Sequence, residues 1–420
     1  MEERLNLNDL IHDWNKQEAS ARPARVELND ETLRDGLQSP SITDPPMEVK
    51  LQALHYMVEL GIPSANIGMP CAGLRAKNDT LRLVQEIAQQ RLPIRPNCAA
   101  RTVIRDVQVI VDISQAAGVA IEASTFIGSS SIRRLAEGWD LDAMLRHTEE
   151  AVSFAIRNQL PVMYVTEDTT RAQPEVLKPL YQTALDHGAY RLCLADTVGH
   201  ITPHGVRRLI EFFHQEIVKD RPGIRLDWHG HNDRGLAVAN SLAALEAGVD
   251  CVQGTILGIG ERVGNTPLDQ LLVNLKLLGW IDHDLSCLPD YCRLVSEHCA
   301  GPLPYNYPIM GRDAFRTQTG VHAAAIIKAK ELGHEYLANR IYSGVPAELV
   351  GRAQEIEIGP MSGKSNVIYW LESRGIPARP ELVELLFAHA KRSRTVLKES
   401  EILELIAARE MEGTVGKGGR

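Results

Sequence analysis

Eight short apolar runs, each ending in small or polar residues and each followed by a longer segment of helical pattern, constrain this chain most. They are Arg25 to Leu28, Ser64 to Ile67, Ile94 to Cys98, Val119 to Ser124, Val162 to Val165, Arg191 to Leu194, Ile224 to Trp228 and Asp250 to Gln253. The runs recur at intervals of roughly 25 to 40 residues, room for one helix each, which marks alternating βα units. Eight units within about 250 residues predict an α/β fold closed as a (β/α)₈ TIM barrel. A doubly wound sheet is the alternative, but no G-x-G-x-x-G follows the first run. After Gly279 the rhythm stops. The sequence therefore divides into an N-terminal helical extension (1–24), the barrel (25–280), a smaller, mainly helical C-terminal region (281–412) and a disordered tail (413–420). Helices are expected around 282–303, 323–330, 365–375, 380–394 and 398–412, with Pro302, Pro304 and Pro308 marking a linker.

The polar residues keep phase with the runs. Arg34 and Asp35, Asn97 and Arg101, Glu167 and Asp168, Asp196 and Thr197, His229 and His231, then Gly258 to Asn265 all follow a strand candidate. In a barrel these positions gather at the C-terminal mouth, where active sites are built. Solvated charges scattered at random have no such phase, so the pattern points to an enzyme.

Within that set, His229 and His231 are two residues apart at a strand end, so their imidazoles project to the same side. An isolated H-x-H is often just two exposed histidines, but Asp35 upstream offers a carboxylate. Two imidazoles and a carboxylate leave open positions on a divalent ion, as catalysis requires. Arg34 beside Asp35 is either a solvated salt bridge or, at this mouth, a cation that polarises a metal-bound carbonyl. Alternation puts Met163, Val165 and Glu167 on one face, and a desolvated Glu167 suits proton transfer or a structural hydrogen bond equally. The loop Gly258-Ile259-Gly260-Glu261-Arg262-Val263-Gly264-Asn265 either cradles phosphates of a nucleotide-like cofactor or seals the barrel end through a Glu261–Arg262 pair.

Composition narrows the partners. A net charge of -9 argues against nucleic acid or an anionic membrane, and no apolar stretch approaches a membrane span. The polar start has neither a secretory signal nor a transit-peptide pattern, so a cytoplasmic location is expected. Seven cysteines without C-x-x-C spacing read as reduced, mostly buried thiols.

Taken in order, these pieces resemble the metal-dependent, acetyl-CoA-condensing barrel enzymes: 2-isopropylmalate synthase, homocitrate synthase and citramalate synthase. The motifs carrying the resemblance are ETLRDG-x-Q (31–38), CAARTV (98–103), TEDTTR (166–171), LADTVG (194–199), HGHNDRGLAVANS (229–241), GIGERVGN (258–265), GRDAF (311–315), TGVH (319–322) and MSGKSNV (361–367). The resemblance implies Asp35, His229 and His231 as ligands of Mg²⁺, Mn²⁺ or Zn²⁺, with Asn265 in or beside that shell. It implies that Arg34 polarises the carbonyl of a 2-oxo acid, that Thr197 holds its carboxylate, and that Glu167, His322 and Tyr342 move protons. It also implies acetyl-CoA as co-substrate and a homodimer with composite sites.

Some positions depart from that pattern. Leu37, Asn66, Ser124 and Thr317 stand where the synthases usually carry Glu, Glu, His and His. R-D-G-L-Q looks more like 3-hydroxy-3-methylglutaryl-CoA lyase, whose catalytic Cys is missing from 258–265. Met163 stands where homocitrate synthases carry an Arg for a distal carboxylate, and an unpaired carboxylate beside Met163 and Val165 is costly to bury. Asn66, Ser124 and Met163 are thus the expected acceptor-binding residues. The acceptor favoured is 2-oxoisovalerate, on a leucine-biosynthesis reading without a feedback domain; pyruvate, 2-oxoglutarate or a bulkier apolar acid, a lyase, and a silent metal-binding barrel are the alternatives.

Overall fold

The parallel ladder closes on itself. In this computed structural model, which describes residues 10–12, 14–15 and 23–415, eight strands pair in sequence order and the first pairs with the last. They are β1 (Glu27–Asp30), β2 (Ser64–Asn66), β3 (Arg95–Arg101), β4 (Glu122–Gly128), β5 (Val162–Glu167), β6 (Arg191–Asp196), β7 (Arg225–Gly230) and β8 (Cys251–Gly254). Closure sets Glu27 opposite Cys251 and Asp30 opposite Gly254. The fold is the expected TIM barrel with additional C-terminal helices. Most of the helical extension expected over 1–24, and residues 416–420 of the expected tail, lie outside the described residues.

Several strands run further than their apolar runs. β3 continues to Arg101, β5 to Glu167, β6 to Asp196 and β7 to Gly230. Near these ends Glu167 of β5 and His229 of β7 face the central cavity, so hydrophobic pattern ends before the hydrogen-bonded ladder does. The fourth run was placed too early: Val119 follows the helix Ile104–Ala117, which ends on left-handed Gly118, and the strand begins at Glu122.

The outward faces are apolar and buried beneath helices, with Leu28, Ala65, Cys98, Ala123, Tyr164, Leu192, Trp228 and Val252 at most 1% exposed. Tyr164 ties its hydroxyl to Thr148 of the helix Leu141–Arg157, 2.8 Å away. The inward faces are polar to an unusual degree. Arg191, 1% exposed, makes a bidentate pair with Asp227 (2.7 Å for both bonds) and a third bond to Glu122 at 3.0 Å. A buried ion pair is costly to desolvate, and removing one partner strands the other charge. At the N-terminal end of the barrel, Glu27 meets Arg25, Arg95 and Arg225. Burial alone would raise its carboxyl, but these guanidiniums hold it down at about 2.

Two compact units are present, Asn15–Pro302 and a second from Leu303 onward. The expected boundary near 280 moves downstream. The segment 281–302 stays with the barrel because the helix Leu288–Val295 is anchored there: Tyr291 stacks on Tyr56 and donates to Asp30 at 3.1 Å. The second unit pairs Arg316–Thr317 in parallel with Glu355–Ile356. It carries helices at Gly320–Glu331, Lys364–Glu372, Pro380–Arg392 and Glu399–Val415. Val367, Trp370, Leu371, Leu386 and Ile402 form its core. The last helix runs through 413–415, which the sequence pattern had assigned to the tail. Among the described residues no helix is long and apolar enough to cross a membrane, and all seven cysteines are free, five of them buried.

Candidate active site

At the C-terminal mouth, the end of β7 and the turn after β1 bring three donors together. His229 Nε2 and His231 Nε2 are 3.2 Å apart and stand 3.4 and 3.7 Å from Asp35 Oδ2. All three residues are buried. Asn265 joins them because the loop after β8 forms a bridge between His231 and Asn265, reinforced by the Asn232 amide donating to Gly264 O at 3.0 Å. Burial opposes charge on Asp35, yet Arg34 and the two imidazoles hold its carboxyl well below the usual range. Burial, then the neighbouring His229, push the His231 imidazole down to about 4, so it is neutral and able to ligate.

Arg34 sits over this triad. One Nη donates to Asp35 Oδ2 at 3.1 Å and the other to Glu31, while Nε has no partner. Burial would weaken its charge, but Glu31 and Asp35 hold the guanidinium above its ordinary range.

The cavity beside the triad is lined by Arg34, Asn66, Ala99, Ser124, Phe126, Met163, Val165, Glu167, Ala195, Thr197 and Gln253, among others. Met163, Val165 and Glu167 share its wall, as alternation along β5 requires. The Asp168 amide donates to Thr197 Oγ1 at 2.8 Å, which leaves the threonine hydroxyl hydrogen free to donate elsewhere. Burial raises the Glu167 carboxyl, with Arg133 at 3.8 Å only partly offsetting it. Asn66 donates to Glu31 at 3.3 Å and Ser124 to Asn97 at 3.3 Å, so both face the cavity as parts of a polar floor. Asn97 lies within that floor rather than at the mouth. Arg101, also expected at the mouth, is held by Asp106 at 2.6 Å and does not line the cavity. Asp196 is spent on its own turn, accepting from Thr170 and the His200 amide.

Different partners hold the Gly-rich loop from those expected. Arg262 binds Asp233 (2.9 and 3.0 Å) and Thr197 O (2.7 Å), not Glu261, and Glu261 is exposed at the rim. The glycines answer to packing: a Cβ on Gly264 would lie 1.7 Å from Gly258 O, and one on Gly260 2.2 Å from Asn265 Nδ2. Amides of Gly258, Gly264 and Asn265 are already bonded within the loop. This loop shapes the shell around Asn265, and these amides are not free to receive phosphate.

His322 and Tyr342 come together in the second unit, with ring centroids 4.0 Å apart and planes at 28°. Thr317 lies in that unit's short sheet, paired with Ile356.

Known proteins bear on this arrangement. The HMGL-like family model matches residues 25–295. The chain belongs to the HMGL-like family. It is 31% identical over 389 residues to homocitrate synthase AksA of Methanopyrus kandleri, spanning 91% of this chain and 92% of the relative. It is 32% identical over 379 residues to a probable 2-isopropylmalate synthase of Ignicoccus hospitalis, spanning 90% and 89%. The barrel is like that of the HMG-CoA lyase of Bacillus subtilis, with a TM-score of 0.57, 20% identity and coverage of 67% and 96%.

The donor set of this HMGL-like chain fits a divalent cation. Donors spaced 3.2–3.7 Å apart match ligands held about 2.1 Å from one ion. Asp35 Oδ1 and Asn265 Oδ1 are buried with no hydrogen-bond partner, which is costly unless something positive accepts them. Sequence reasoning missed Glu31, which is 1% exposed and grips Arg34, and Gln253, which ties Met163 to Asp227. Glu31 stands inside the ETLRDG motif, but its direction depends on β1 register; nothing local marks Gln253.

Proposed function

We propose that this chain condenses acetyl-CoA with a 2-oxo acid bearing an apolar side chain, releasing CoA and a 2-hydroxy dicarboxylate. The first acceptor to try is 2-oxoisovalerate, giving 2-isopropylmalate for leucine biosynthesis in the cytoplasm. One observation carries the reading: a triad fit for a cation and Arg34 stand over a cavity walled by Met163, Val165, Phe126, Ala99 and Ala195. Of the guanidiniums that line this cavity, Arg262 is committed to Asp233, and Arg34, held by Glu31 and Asp35, keeps only Nε unpartnered, for the reacting carbonyl. A second acceptor carboxylate would meet Met163 unpaired, which disfavours 2-oxoglutarate although relatives carry the name homocitrate synthase.

In this mechanism Asp35, His229, His231 and Asn265 would hold a divalent ion (Mg²⁺, Mn²⁺ or Zn²⁺), which would supply Lewis-acid chemistry toward a carbonyl. The free hydroxyl hydrogen of Thr197 binds the acceptor carboxylate. Glu167, partly desolvated and with its carboxyl raised, accepts the proton that the acetyl methyl loses. As that methyl carbon bonds to the carbonyl carbon, Arg34 stabilises the oxyanion. Water then cleaves the thioester, and CoA leaves as the thiol. His322 and Tyr342, stacked on each other, complete proton transfer from the C-terminal unit of a partner copy. Exposed Leu74, Val103, Ile104, Ile132 and Leu135 on βα connections give the homodimer an apolar rim to cover.

No cysteine lines the cavity, which disfavours a lyase of the 3-hydroxy-3-methylglutaryl-CoA type. The test is acceptor-dependent release of CoA thiol with added metal. Release with 2-oxoisovalerate and not 2-oxoglutarate supports the reading; the reverse preference overturns its pocket argument.

A further inference from the structure

Glu31 is a buried carboxylate to which the sequence patterns assign no task. Only donors bond to it. Oε1 accepts from Asn29 Nδ2 at 2.8 Å and from Asn66 Nδ2 at 3.3 Å, and Oε2 pairs with Arg34. These donors are themselves held from behind. Asn29 Oδ1 accepts from Asn97 at 2.7 Å and from Ser64 at 2.8 Å, and Asn97 Oδ1 accepts from Ser124 at 3.3 Å. Side chains from β1 to β4 thus form one directed chain whose N–H groups end on a single carboxylate. Such a chain satisfies an anion and rejects a neutral group, because an amide in its place would turn a donor toward a donor. On its far side Glu31 holds one Nη of Arg34, whose other Nη binds the metal-ligand carboxylate of Asp35. The guanidinium is therefore pinned at two of its three nitrogens.

We propose that Glu31 is a positioning residue, orienting Arg34 toward the oxyanion that forms on the acceptor carbonyl. The proposal rests on the condensing reaction for its kinetic consequence, but not for its geometry. A group needed for transition-state charge and misplaced by about 1 Å costs on the order of 100-fold in rate. The cost falls on kcat, because the acceptor's ground-state carbonyl draws less on the guanidinium than the oxyanion does.

The test compares wild type, Glu31→Gln and Glu31→Asp as full-length, metal-loaded protein. For E31Q we expect kcat about 100-fold lower, acceptor KM moved less than about threefold and unchanged metal stoichiometry. Its melting temperature falls because Arg34 loses its buried partner, but it is still folded at the assay temperature. E31D, which keeps the charge on a shorter arm, should recover about tenfold of that loss. In the E31Q crystal structure the Arg34 guanidinium should be displaced by about 1 Å or more. Wild-type kcat in E31Q, or an unmoved Arg34, overturns the proposal. A fall in kcat that tracks loss of bound metal also overturns it, in favour of a purely structural ion pair. Should E31Q fail to fold, E31D carries the test, with lowered kcat at unchanged stability supporting it and wild-type kcat overturning it. Absence of turnover in wild type would instead refute the condensing reaction, and the Arg34 displacement would still decide the positioning role.

Discussion

His229 and His231 turn their Nε2 atoms to within 3.2 Å of each other, with Asp35 Oδ2 within 3.7 Å of both. Two neutral imidazoles can share one proton across such a gap, but only a cation serves both and the carboxylate together. Replacing His231 by Ala should therefore lower divalent-metal affinity by more than about 100-fold and abolish turnover with it. Titration calorimetry with Mn²⁺ reads the first quantity. Unchanged affinity would remove His231 from the ligand set.

Met163 contacts Gln253 Nε2 through sulfur at 3.5 Å and is 1% exposed. Its thioether is the feature that denies a second acceptor carboxylate a partner. Met163→Arg should raise kcat/KM for 2-oxoglutarate by about tenfold or more and lower it for 2-oxoisovalerate, since one buried ion pair is worth a few kcal/mol. If the preference between the two acids stays unchanged, Met163 does not set specificity.

The His322–Tyr342 stack gives a separate expectation. Replacing His322 by Ala should cut kcat by about 100-fold or more, within the range for lost acid–base catalysis, while leaving metal affinity untouched. Tyr342→Phe keeps the stacking ring and removes the hydroxyl, so it distinguishes proton transfer from packing. Wild-type kcat in both variants would remove the pair from catalysis.

Stability should also report on the barrel interior. Burial raises the Asp30 carboxyl from 3.8 to about 6, although Thr32 and Tyr291 hydrogen-bond to it. Between pH 4 and 6 the native state thus binds a proton that the unfolded chain has released. Its contribution is full below pH 4 and is lost as pH rises through 6, a change on the order of 3 kcal/mol. Asp30→Asn should flatten urea-unfolding stability across that window and be the more stable form above it. An unchanged slope would mean that Asp30 titrates normally.

The order of the barrel strands and the pairing of His229 with His231 were legible in the sequence because each rests on a local period. Asp35 was grouped with them only through its place after the first strand candidate and the family resemblance. Strand ends were not legible. Glu167 and His229 continue the ladder while facing a polar interior, and hydrophobic pattern cannot follow them there. Glu31 stayed hidden for the same reason: its meaning lies in Asn29, Asn66 and Arg34, which only barrel closure brings together. Proximity in sequence offers Glu261 as one possible partner of Arg262, whereas the folded loop, with Arg262 at φ 58°, brings it to Asp233. The boundary near 280 moved because Tyr291 finds Tyr56 and Asp30, contacts more than 200 residues apart in the chain.

The most direct measurement is release of CoA thiol from acetyl-CoA by purified protein with Mg²⁺, Mn²⁺ or Zn²⁺ across pyruvate, 2-oxobutyrate, 2-oxoisovalerate, 2-oxoglutarate and bulkier apolar 2-oxo acids. We predict release that needs both the metal and an apolar acceptor, is highest with 2-oxoisovalerate, and disappears on chelation. Metal bound at Asp35, His229 and His231 without thiol release for any acceptor would contradict the condensing activity.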